Sequence, residues 1–216
     1  MKESSAKKNI LKKIKQALAT PVPVPFTDYT STQIFKAPQQ DIEVEFAENF
    51  TALQGRFSFC FSTQELVNQL QALFTARSWK NIFIKDNVLQ QALQSAALKI
   101  DYTNDLATCD AAITGCEYLI ARTGSIVLST AQQSGRTVSV YAPVHICIAY
   151  TNQLIYDIKD GLELLQKKYH QNFPSLITFA SGPSRTADIE KTLVTGVHGP
   201  KEVFCFLMEN ANANSV

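Results

Sequence analysis

The residues best suited to chemistry in this chain lie in a turn that follows an apolar run near the carboxyl end. Residues 176–180 form the run, and the turn after it contains Ser184 and Arg185. The pattern predicts a strand, a turn with hydroxyl groups and a guanidinium, and then a helix over 187–195. Unpaired N–H groups and the helix dipole would attract an anion there, and Arg185 would add a planar fork suited to carboxylate or phosphate.

The same residues also have a purely structural explanation. Thr186 is suited to cap the predicted helix, and Asp188 and Glu190 would complement its dipole while weakening the attraction for an anion. Ser184 and Thr186 could instead satisfy the backbone of the turn. The sequence leaves an anion site and a structural turn as alternatives.

A second glycine-rich turn, residues 196–200, places His198 between two glycines. An accessible histidine titrates near neutral pH and could transfer a proton, and a structural histidine bonded to a backbone carbonyl explains the position equally well. His145 follows Pro143 at the entrance of a predicted strand and could hold the edge of the sheet. His170 would end a helix. The spacing of these histidines matches no metal-binding signature.

A third turn, Thr-Gly-Ser at 123–125, follows another predicted strand, and Arg136 is a second candidate contact for an anion. Arg136 could also be a surface arginine without a specific bond. If the turns converge, the pocket would suit a small carboxylate, a phosphate or a nucleotide-like tail. The candidate ligand-binding residues are Thr123, Gly124, Ser125, Arg136, Gly182, Ser184, Arg185, Thr186, His198 and Gly199.

Several common catalytic patterns are missing from the sequence. Ser125 and Ser139 have no histidine and acid in a pattern typical of a hydrolase triad. Gly-x-Gly-x-x-Gly and Walker-A patterns do not occur, so a standard dinucleotide or P-loop site is not supported. Glu117 is the only carboxylate close to the Thr-Gly-Ser turn.

Composition indicates an ordinary globular protein. The chain has 216 residues, a net charge of +1, 45% hydrophobic and 18% charged residues, so nothing drives it globally toward nucleic acid or anionic membranes. No apolar run approaches the ~20 residues of a membrane span, and the first residues lack the apolar core of a signal peptide, so we expect a cytoplasmic protein. Five scattered cysteines without a C-x-x-C pair predict buried free thiols and provide no zinc or iron–sulfur ligand set.

Residues 1–40 are expected to lie outside the main fold, and 41–216 to form one α/β domain. Residues 4–19 predict a basic amphipathic helix, which could touch a membrane or a partner. We favour a solvated helix docked on its own domain or on a second subunit, because its apolar face is narrow and lacks aromatic anchors. The prolines at 21–25 predict a short extended linker, and 26–40 a loose arm.

Helices and strands alternate along the expected domain. Helices are predicted at 41–54, 63–78, 87–97, 158–170 and 187–195, and a capping box at Ser62 and Glu65 opens the second of them. Strands are predicted at 57–61, 81–85, 99–102, 111–114, 118–121, 126–129, 138–141, 146–150, 176–180 and 203–208. This alternation predicts a largely parallel sheet covered on both faces, and the strand-rich middle suggests an inserted or edge β region.

Three ordered motifs resemble the lactate-utilization (LUD) domain family. They are SGPSRTADIE and GVHGP at 181–200, ARTGS at 121–125, and the spaced G-R, S, P and H-I residues of 135–146. The resemblance runs from about residue 110 to 207, with a weaker echo at 46–55. The chain departs from the family at Arg122, where an acidic residue is expected.

The resemblance implies a three-layer α/β/α fold with a mostly parallel sheet, like that of CoA transferases, ribose-5-phosphate isomerase and formyltetrahydrofolate cyclo-ligase. It also implies a cytoplasmic component of a system that oxidises L-lactate to pyruvate. The iron–sulfur clusters would then belong to partner proteins. This chain would be an accessory or ligand-binding subunit without a cofactor of its own, and self-association stays open.

Two other functional hypotheses remain open. One is an independent enzyme or sensor for a phosphorylated or CoA-like anion, and the other is an interaction module without a ligand. A covalent acyl-glutamate mechanism would need an acid in the Thr-Gly-Ser turn. Arg122 at the expected acidic position makes that chemistry less favourable or shifts the ligand toward a more anionic one.

Overall fold

The computed structural model describes residues 5–17, 37–38, 40–189 and 192–210. The chain divides into two units, Met1–Ala37 and Pro38–Val216, which are considered separately. The first contains the helix α1 (Ser5–Ala17), so the predicted amphipathic helix is present over the described residues. The proline linker and most of the arm predicted at 26–40 lie outside them. No helix in the described part of the chain is long and apolar enough to cross a membrane.

The second unit alternates helices and strands as predicted. Its helices are α2 (Ile42–Ala52), α3 (Thr63–Arg77), α4 (Asn87–Ser95), α5 (Val138–Tyr141) and α6 (Ile158–Tyr169). Its strands are β1 (Arg56–Cys60), β2 (Asn81–Ile84), β3 (Asp101–Thr103), β4 (Ala111–Thr114), β5 (Tyr118–Ile120), β6 (Ser125–Ser129), β7 (Val144–Tyr150), β8 (Leu154–Ile155), β9 (Ile177–Ala180), β10 (Arg185–Ile189), β11 (Thr192–Thr195) and β12 (Glu202–Met208).

A parallel sheet forms the centre of this unit, with the strand order β1-β12-β7-β4-β2-β3 among the described residues. The strands of its middle are almost wholly apolar, as expected when both faces are covered. On one face, α3 and α4 bury Leu70, Phe74 and Leu93 against Ile113 and Ile146.

Local signals in the sequence account for the start of α3. The Ser62 hydroxyl accepts a hydrogen bond from the Glu65 N–H at 3.2 Å, as the predicted capping box requires. The Glu65 carboxylate accepts from the Phe61 N–H at 3.0 Å instead of the Ser62 N–H. The donor to the Glu65 carboxylate is therefore the N–H group of the residue before Ser62, and not that of Ser62 as in the capping-box motif.

The other face of the central sheet is covered by α2, α5 and a second, mixed sheet. This second sheet has the order β8-β5-β6-β9 and is the β region that the strand-rich middle of the sequence suggested. Phe46 and Phe50 of α2 pack with Leu119 and Ile126 of the second sheet and Cys205 of the central one. Leu165 of α6 packs on the outer surface of the second sheet. The α/β class with a mostly parallel sheet is thus confirmed.

Two predicted elements are wrong. The helix predicted at 187–195 is wrong over the described residues, because β10 and β11 pair as an antiparallel hairpin with Arg185 opposite Thr195 and Thr186 opposite Val194. β-Branched residues recur along this segment, and they favour strands over helices. Residues 138–141, predicted as a strand, form α5, whose one turn buries Val138 and Ala142 against Ala112. This burial sets the conformation of a segment whose apolar composition suits either element.

Replacing Gly124 by Ala tests whether α2 packs as closely against the second sheet as the structure indicates. Its φ is +56°, and a Cβ atom there would lie 2.5 Å from the Phe50 backbone nitrogen. We expect Gly124→Ala to lower the free energy of unfolding by about 3 kcal/mol, through backbone strain and displacement of α2. Urea unfolding measures this loss.

Gly135→Ala is the matched control. Gly135 has a similar φ of +62°, but a Cβ atom there would meet nothing within 4 Å. We therefore expect a loss of only about 1 kcal/mol, from the left-handed backbone alone. Equal losses for the two variants would contradict the close approach of α2.

Candidate functional site

Hydroxyl groups of two predicted turns meet at the ends of β6 and β9. The Ser125 hydroxyl lies 2.6 Å from the Ser181 hydroxyl and 2.8 Å from the Thr123 hydroxyl. Ser125 itself is buried. The tertiary structure therefore brings the Thr-Gly-Ser turn and the Ser181 turn together, and their hydroxyl groups bond to one another.

The anion hypothesis assumed that Arg185 lies at the start of a helix, but Arg185 is the first residue of the strand β10. Its Nη2 atom donates a hydrogen bond of 2.5 Å to the Leu53 carbonyl, at the carboxyl end of α2. Gly182 packs against the same carbonyl so closely that a Cβ atom would overlap it. The guanidinium thus satisfies one of the carbonyl groups left without a partner where α2 ends.

Arg122 is paired with a carboxylate of its own chain. Its Nε lies 2.6 Å from Oδ2 of Asp157, which also caps α6 by accepting a bond from the Lys159 N–H. Burial by itself would raise the pKa of Asp157, but the hydrogen bond and charge of Arg122, together with the backbone N–H groups of Lys159 and Ile158, outweigh it and hold that pKa below its usual value. Arg122 therefore serves an internal ion pair that holds the start of α6.

The turn at 196–200 lines a cavity at the amino-terminal edge of the central sheet. This amino-edge cavity has a volume of about 420 Å³ and lies where the chain enters β7 and β12. Its lining residues are Val140, Tyr141, Pro143, Gly196, Val197, His198, Gly199 and Lys201. His198 and Lys201 can carry positive charge, and no acidic residue is among the described residues that line the cavity.

Backbone hydrogen bonds connect Ser184 to this turn. The Ser184 N–H donates to the Pro200 carbonyl at 2.9 Å, and the Gly196 N–H donates to the Ser184 carbonyl at 3.0 Å. Gly199 packs directly against the Ser184 side chain. These backbone contacts of Ser184 hold the turn that contains His198 in place.

The predicted site residues separate into groups. Residues 123–125, Gly182 and Arg185 lie around the end of α2. His198 and Gly199 line the amino-edge cavity, and Ser184 supports them. Thr186 pairs with Val194 in the hairpin. Arg136 is exposed and is not one of the residues that line this cavity.

Glu117 is a buried carboxylate with a full set of partners. Its side chain accepts hydrogen bonds from the Ser129 hydroxyl at 2.5 Å, the Tyr169 hydroxyl at 2.7 Å and the Lys168 ammonium at 2.8 Å. Burial alone would raise the pKa of Glu117, but the bonds from Lys168, Ser129 and Tyr169 lower it below its usual value. These contacts join the second sheet to α6, which indicates a structural role.

His145 lies in the middle of the central sheet, not at its edge. It pairs in register with Ala112 on one side and Val203 on the other, and its Nε2 lies 2.8 Å from the Thr114 hydroxyl. Burial lowers the pKa of His145 to about 4, so the imidazole is neutral at physiological pH. The structure places it inside the core, away from the predicted turns.

The prediction of buried free thiols is confirmed. All five cysteines are free and buried. Cys116, Cys147 and Cys205 share the core between the two sheets, and burial raises the pKa of Cys60 to about 11. The Cys60 thiolate is therefore disfavoured, and the five buried cysteines pack as small apolar side chains.

A second cavity lies at the opposite, carboxyl-terminal edge of the central sheet. This carboxyl-edge cavity has a volume of about 550 Å³. Its lining residues are Asp86, Val88, Leu89, Ala92, Gly115, Cys116, Gln132, Ile148, Tyr150, Asn152, Gln153 and Asn210. Most of these residues belong to no sequence motif, so the motifs did not point to them. The one available signal was the general rule that open α/β sheets bind ligands beyond the carboxyl ends of their strands.

The fold and its cavities define an α/β protein with a predominantly parallel sheet and room for small ligands at both edges. Residues 44–208 match the LUD domain, and the chain belongs to the LUD domain family. The family resemblance read from the motifs is thereby confirmed.

Relatives cover the chain to different extents. An uncharacterized protein, NMB1437 of Neisseria meningitidis, is 27% identical over 92% of this chain and 91% of its own length. Lactate utilization protein C of Deinococcus radiodurans is 36% identical over 46% of this chain and 46% of that protein. The same name in Halalkalibacterium halodurans belongs to a protein that is 36% identical over 47% of this chain and 45% of its own length. The alignments with these lactate utilization proteins span less than half of each protein.

A solved structure supports the fold. A crystal structure of a DUF162 family protein from Deinococcus radiodurans aligns with a TM-score of 0.58, at 19% identity, over 80% of this chain and 99% of that one. Ribose 5-phosphate isomerase from Plasmodium falciparum aligns over 78% of this chain and 95% of that one at 10% identity, but its TM-score of 0.31 supports no further argument.

Replacing Glu117 by Gln tests the buried carboxylate. At neutral pH we expect the free energy of unfolding to fall by about 2 kcal/mol, because charge-assisted hydrogen bonds become neutral ones. The pKa of Glu117 is lower in the folded protein than in the unfolded chain, so this stabilisation is present above the usual carboxyl pKa. It is lost as the pH falls through the lower, folded value.

Urea unfolding of wild type and Glu117→Gln between about pH 7 and pH 3 measures this dependence, and the two stabilities should converge in acid. Glu163→Gln on the exposed side of α6 is the control, since its pairing with Lys159 spans 3.9 Å and should contribute little at any pH. A Glu117→Gln loss that stays constant down to the acidic limit would contradict the assigned pKa.

Proposed function

We propose that this chain is a ligand-binding subunit of a lactate-utilization system and that it holds a small organic anion, such as L-lactate or pyruvate, in the amino-edge cavity. Membership of the LUD domain family and the names of the lactate utilization proteins C support the first part. The charge of the cavity supports the second part.

The observation that carries the ligand assignment is that His198, from the turn at 196–200, and Lys201, which follows that turn, line one cavity. A carboxylate needs charged or strongly polar donors when it leaves water. His198 and Lys201 provide an imidazole and an ammonium in one cavity of about 420 Å³, next to the Tyr141 side chain. Arg122 and Arg185 already have partners within the fold, and Arg136 does not line this cavity.

The acidic residue that follows Lys201 does not cancel this charge. Glu202 forms ion pairs with Arg56 at 3.0 Å and with Arg77 at 2.8 Å. Arg77 binds both carboxylate oxygens, through Nη1 at 3.0 Å and Nη2 at 2.8 Å. With Glu202 neutralised by two guanidinium groups, a bound anion meets net positive charge.

Oxidation of lactate to pyruvate removes two electrons and two protons, so an electron acceptor is required. We assign electron transfer to partner proteins that carry iron–sulfur clusters, as the family resemblance implies. This chain would present or retain the organic acid for them. The apolar face of α1, with Ile10, Leu11 and Ile14 among its lysines, is suited to contact such a partner.

A phosphorylated or CoA-like anion is the alternative ligand, because the same imidazole and ammonium would also bind phosphate. Affinity for a panel that includes L-lactate, pyruvate, sugar phosphates and acyl-CoAs distinguishes the two classes. Stronger binding of phosphorylated compounds than of lactate and pyruvate would assign the site to the alternative.

The double variant His198→Gln, Lys201→Gln tests the site. We expect it to weaken binding of L-lactate or pyruvate by about tenfold or more, since hydrogen bonds to charged groups contribute roughly 1.5–3 kcal/mol each. Isothermal titration calorimetry measures the affinities. Lys167→Gln removes an exposed lysine of α6 outside the cavity and should bind like wild type. Wild-type affinity in the double variant would refute the assignment of the cavity.

The role in lactate utilization has a separate test. Deleting the gene in its source organism should prevent growth on L-lactate and leave growth on glucose unchanged. Wild type and Lys167→Gln should restore growth, and the double variant should not. Unimpaired growth of the deletion strain on lactate would refute the role, whereas full complementation by the double variant would refute only the site.

A further inference from the structure

We propose that the carboxyl-edge cavity binds an uncharged, flat heterocycle with hydrogen-bond donors and acceptors, of the nucleobase or nucleoside class. This site is separate from the amino-edge cavity, and the proposal does not depend on the lactate assignment. Its volume of about 550 Å³ lies within the usual range for small-molecule sites, roughly 300–1,000 Å³.

The cavity lies where the direction of the sheet reverses. From β2 the chain proceeds to β3 on one side, and from β4 it proceeds to β7 on the other, while β2 and β4 are neighbours in the sheet. Loops diverge at such a point and leave a crevice beyond the strand ends, which is the general position of ligands in open α/β sheets. Asp86 and Gly115, which follow β2 and β4, both line the cavity.

The lining chemistry argues against an anion. Four side-chain amides face the cavity, together with one tyrosine and one carboxylate, and the described lining residues include no lysine, arginine or histidine. The amides belong to Gln132, Asn152, Gln153 and Asn210. An anion would gain no opposite charge here and would meet the carboxylate of Asp86, so the favoured ligand is uncharged.

The Asp86 carboxylate already accepts hydrogen bonds within the fold. Oδ1 of Asp86 accepts hydrogen bonds from the Val88 N–H at 3.0 Å and the Leu89 N–H at 3.1 Å, and so caps α4. A single carboxylate held in this way is a poor basis for a cation site. The cavity therefore selects by hydrogen bonding and shape.

Hydrogen bonds to the backbone hold two of the amides that line the cavity. The Gln153 side chain accepts from the Tyr150 N–H at 2.9 Å and donates to the Cys116 carbonyl at 2.7 Å. Gln132 accepts from the Ser129 N–H at 3.0 Å. Amides held in fixed orientations are suited to recognising the paired donors and acceptors on the edge of a nucleobase.

Exposed apolar groups complete the argument. Val88 is 72% exposed and Tyr150 is 42% exposed, and they come from two different elements that both line the cavity. A flat ring placed against them would remove apolar surface from water and stack on the tyrosine. Stacking surface, apolar contact and fixed amides together match an uncharged heterocycle.

Isothermal titration calorimetry of the full chain with adenosine, guanosine, cytidine and uridine, and with the corresponding monophosphates, tests the proposal. We expect saturable binding of at least one nucleoside that does not require its phosphate. Tyr150→Ala should weaken it by about tenfold or more, since stacking of a base on an aromatic side chain contributes roughly 1–3 kcal/mol. Tyr150→Phe keeps the ring and should bind like wild type.

Two further variants separate the site from the fold. Gly115→Val should block the cavity without disturbing the protein, because the nearest atom to a Cβ there is the Ile148 carbonyl oxygen at 4.0 Å. Its unfolding midpoint should match wild type. Tyr141→Ala, at a 74% exposed tyrosine of the amino-edge cavity, should leave nucleoside binding unchanged.

Several results would overturn the proposal. They are no saturable binding of any nucleoside at millimolar concentration, binding that requires the phosphate, and wild-type binding in both Tyr150→Ala and Gly115→Val. Loss of nucleoside binding in Tyr141→Ala, with Tyr150→Ala unaffected, would move the site to the other edge of the sheet.

Discussion

Close packing of α2 against two glycine-containing turns is the contact on which the packing of the second unit depends. Gly124 lies so near the Phe50 backbone that no side chain fits, and Gly182 makes the same approach to the Leu53 carbonyl. Asn49 adds hydrogen bonds to the Ala121 and Arg122 carbonyls at 2.9 and 3.2 Å. Because α2 carries Phe46 and Phe50 into the space between the sheets, its position determines how the second sheet packs on the first.

This constraint changes the meaning of the family's signature residues in this chain. Gly124, Gly182 and Arg185 have the composition of an anion-binding turn, yet their contacts are made with α2. Arg122 likewise bonds to Asp157 at the start of α6. The described residues of the signature thus largely join the layers of the fold, and its last turn, with His198, lines the amino-edge cavity. The two edges of the central sheet contain the two cavities described above, one lined by His198 and Lys201 and the other by four side-chain amides.

Most of the elements could be predicted from periodicity and caps, because the strands are short apolar runs bounded by polar turns. The segment 187–195 could not, since its acids and alanine suggest a helix while its β-branched residues favour a strand. Pairing of Thr186 with Val194 across the hairpin resolves that conflict. Residues 138–141 were predicted as a strand from their apolar composition, which also suits a buried helical turn, and in the structure the helical turn packs Val138 against Ala112. In a short segment the intrinsic preference for helix or strand is weak, and packing against the neighbouring layers then determines the secondary structure.

By itself, the sequence determined the family, the α/β class, the free buried thiols and the largely parallel sheet, because these follow from motifs, composition and hydrophobic periodicity along the chain. Only the tertiary structure decided which polar groups are already satisfied. Glu117 and Arg122 look available in the sequence, but Lys168 and Asp157, 51 and 35 residues away, pair with them. The cavities could not be predicted from the sequence either, because the residues that line them come from strand ends and loops that are distant along the chain. A cavity depends on which backbones approach one another, and that approach is set by packing across the sheets.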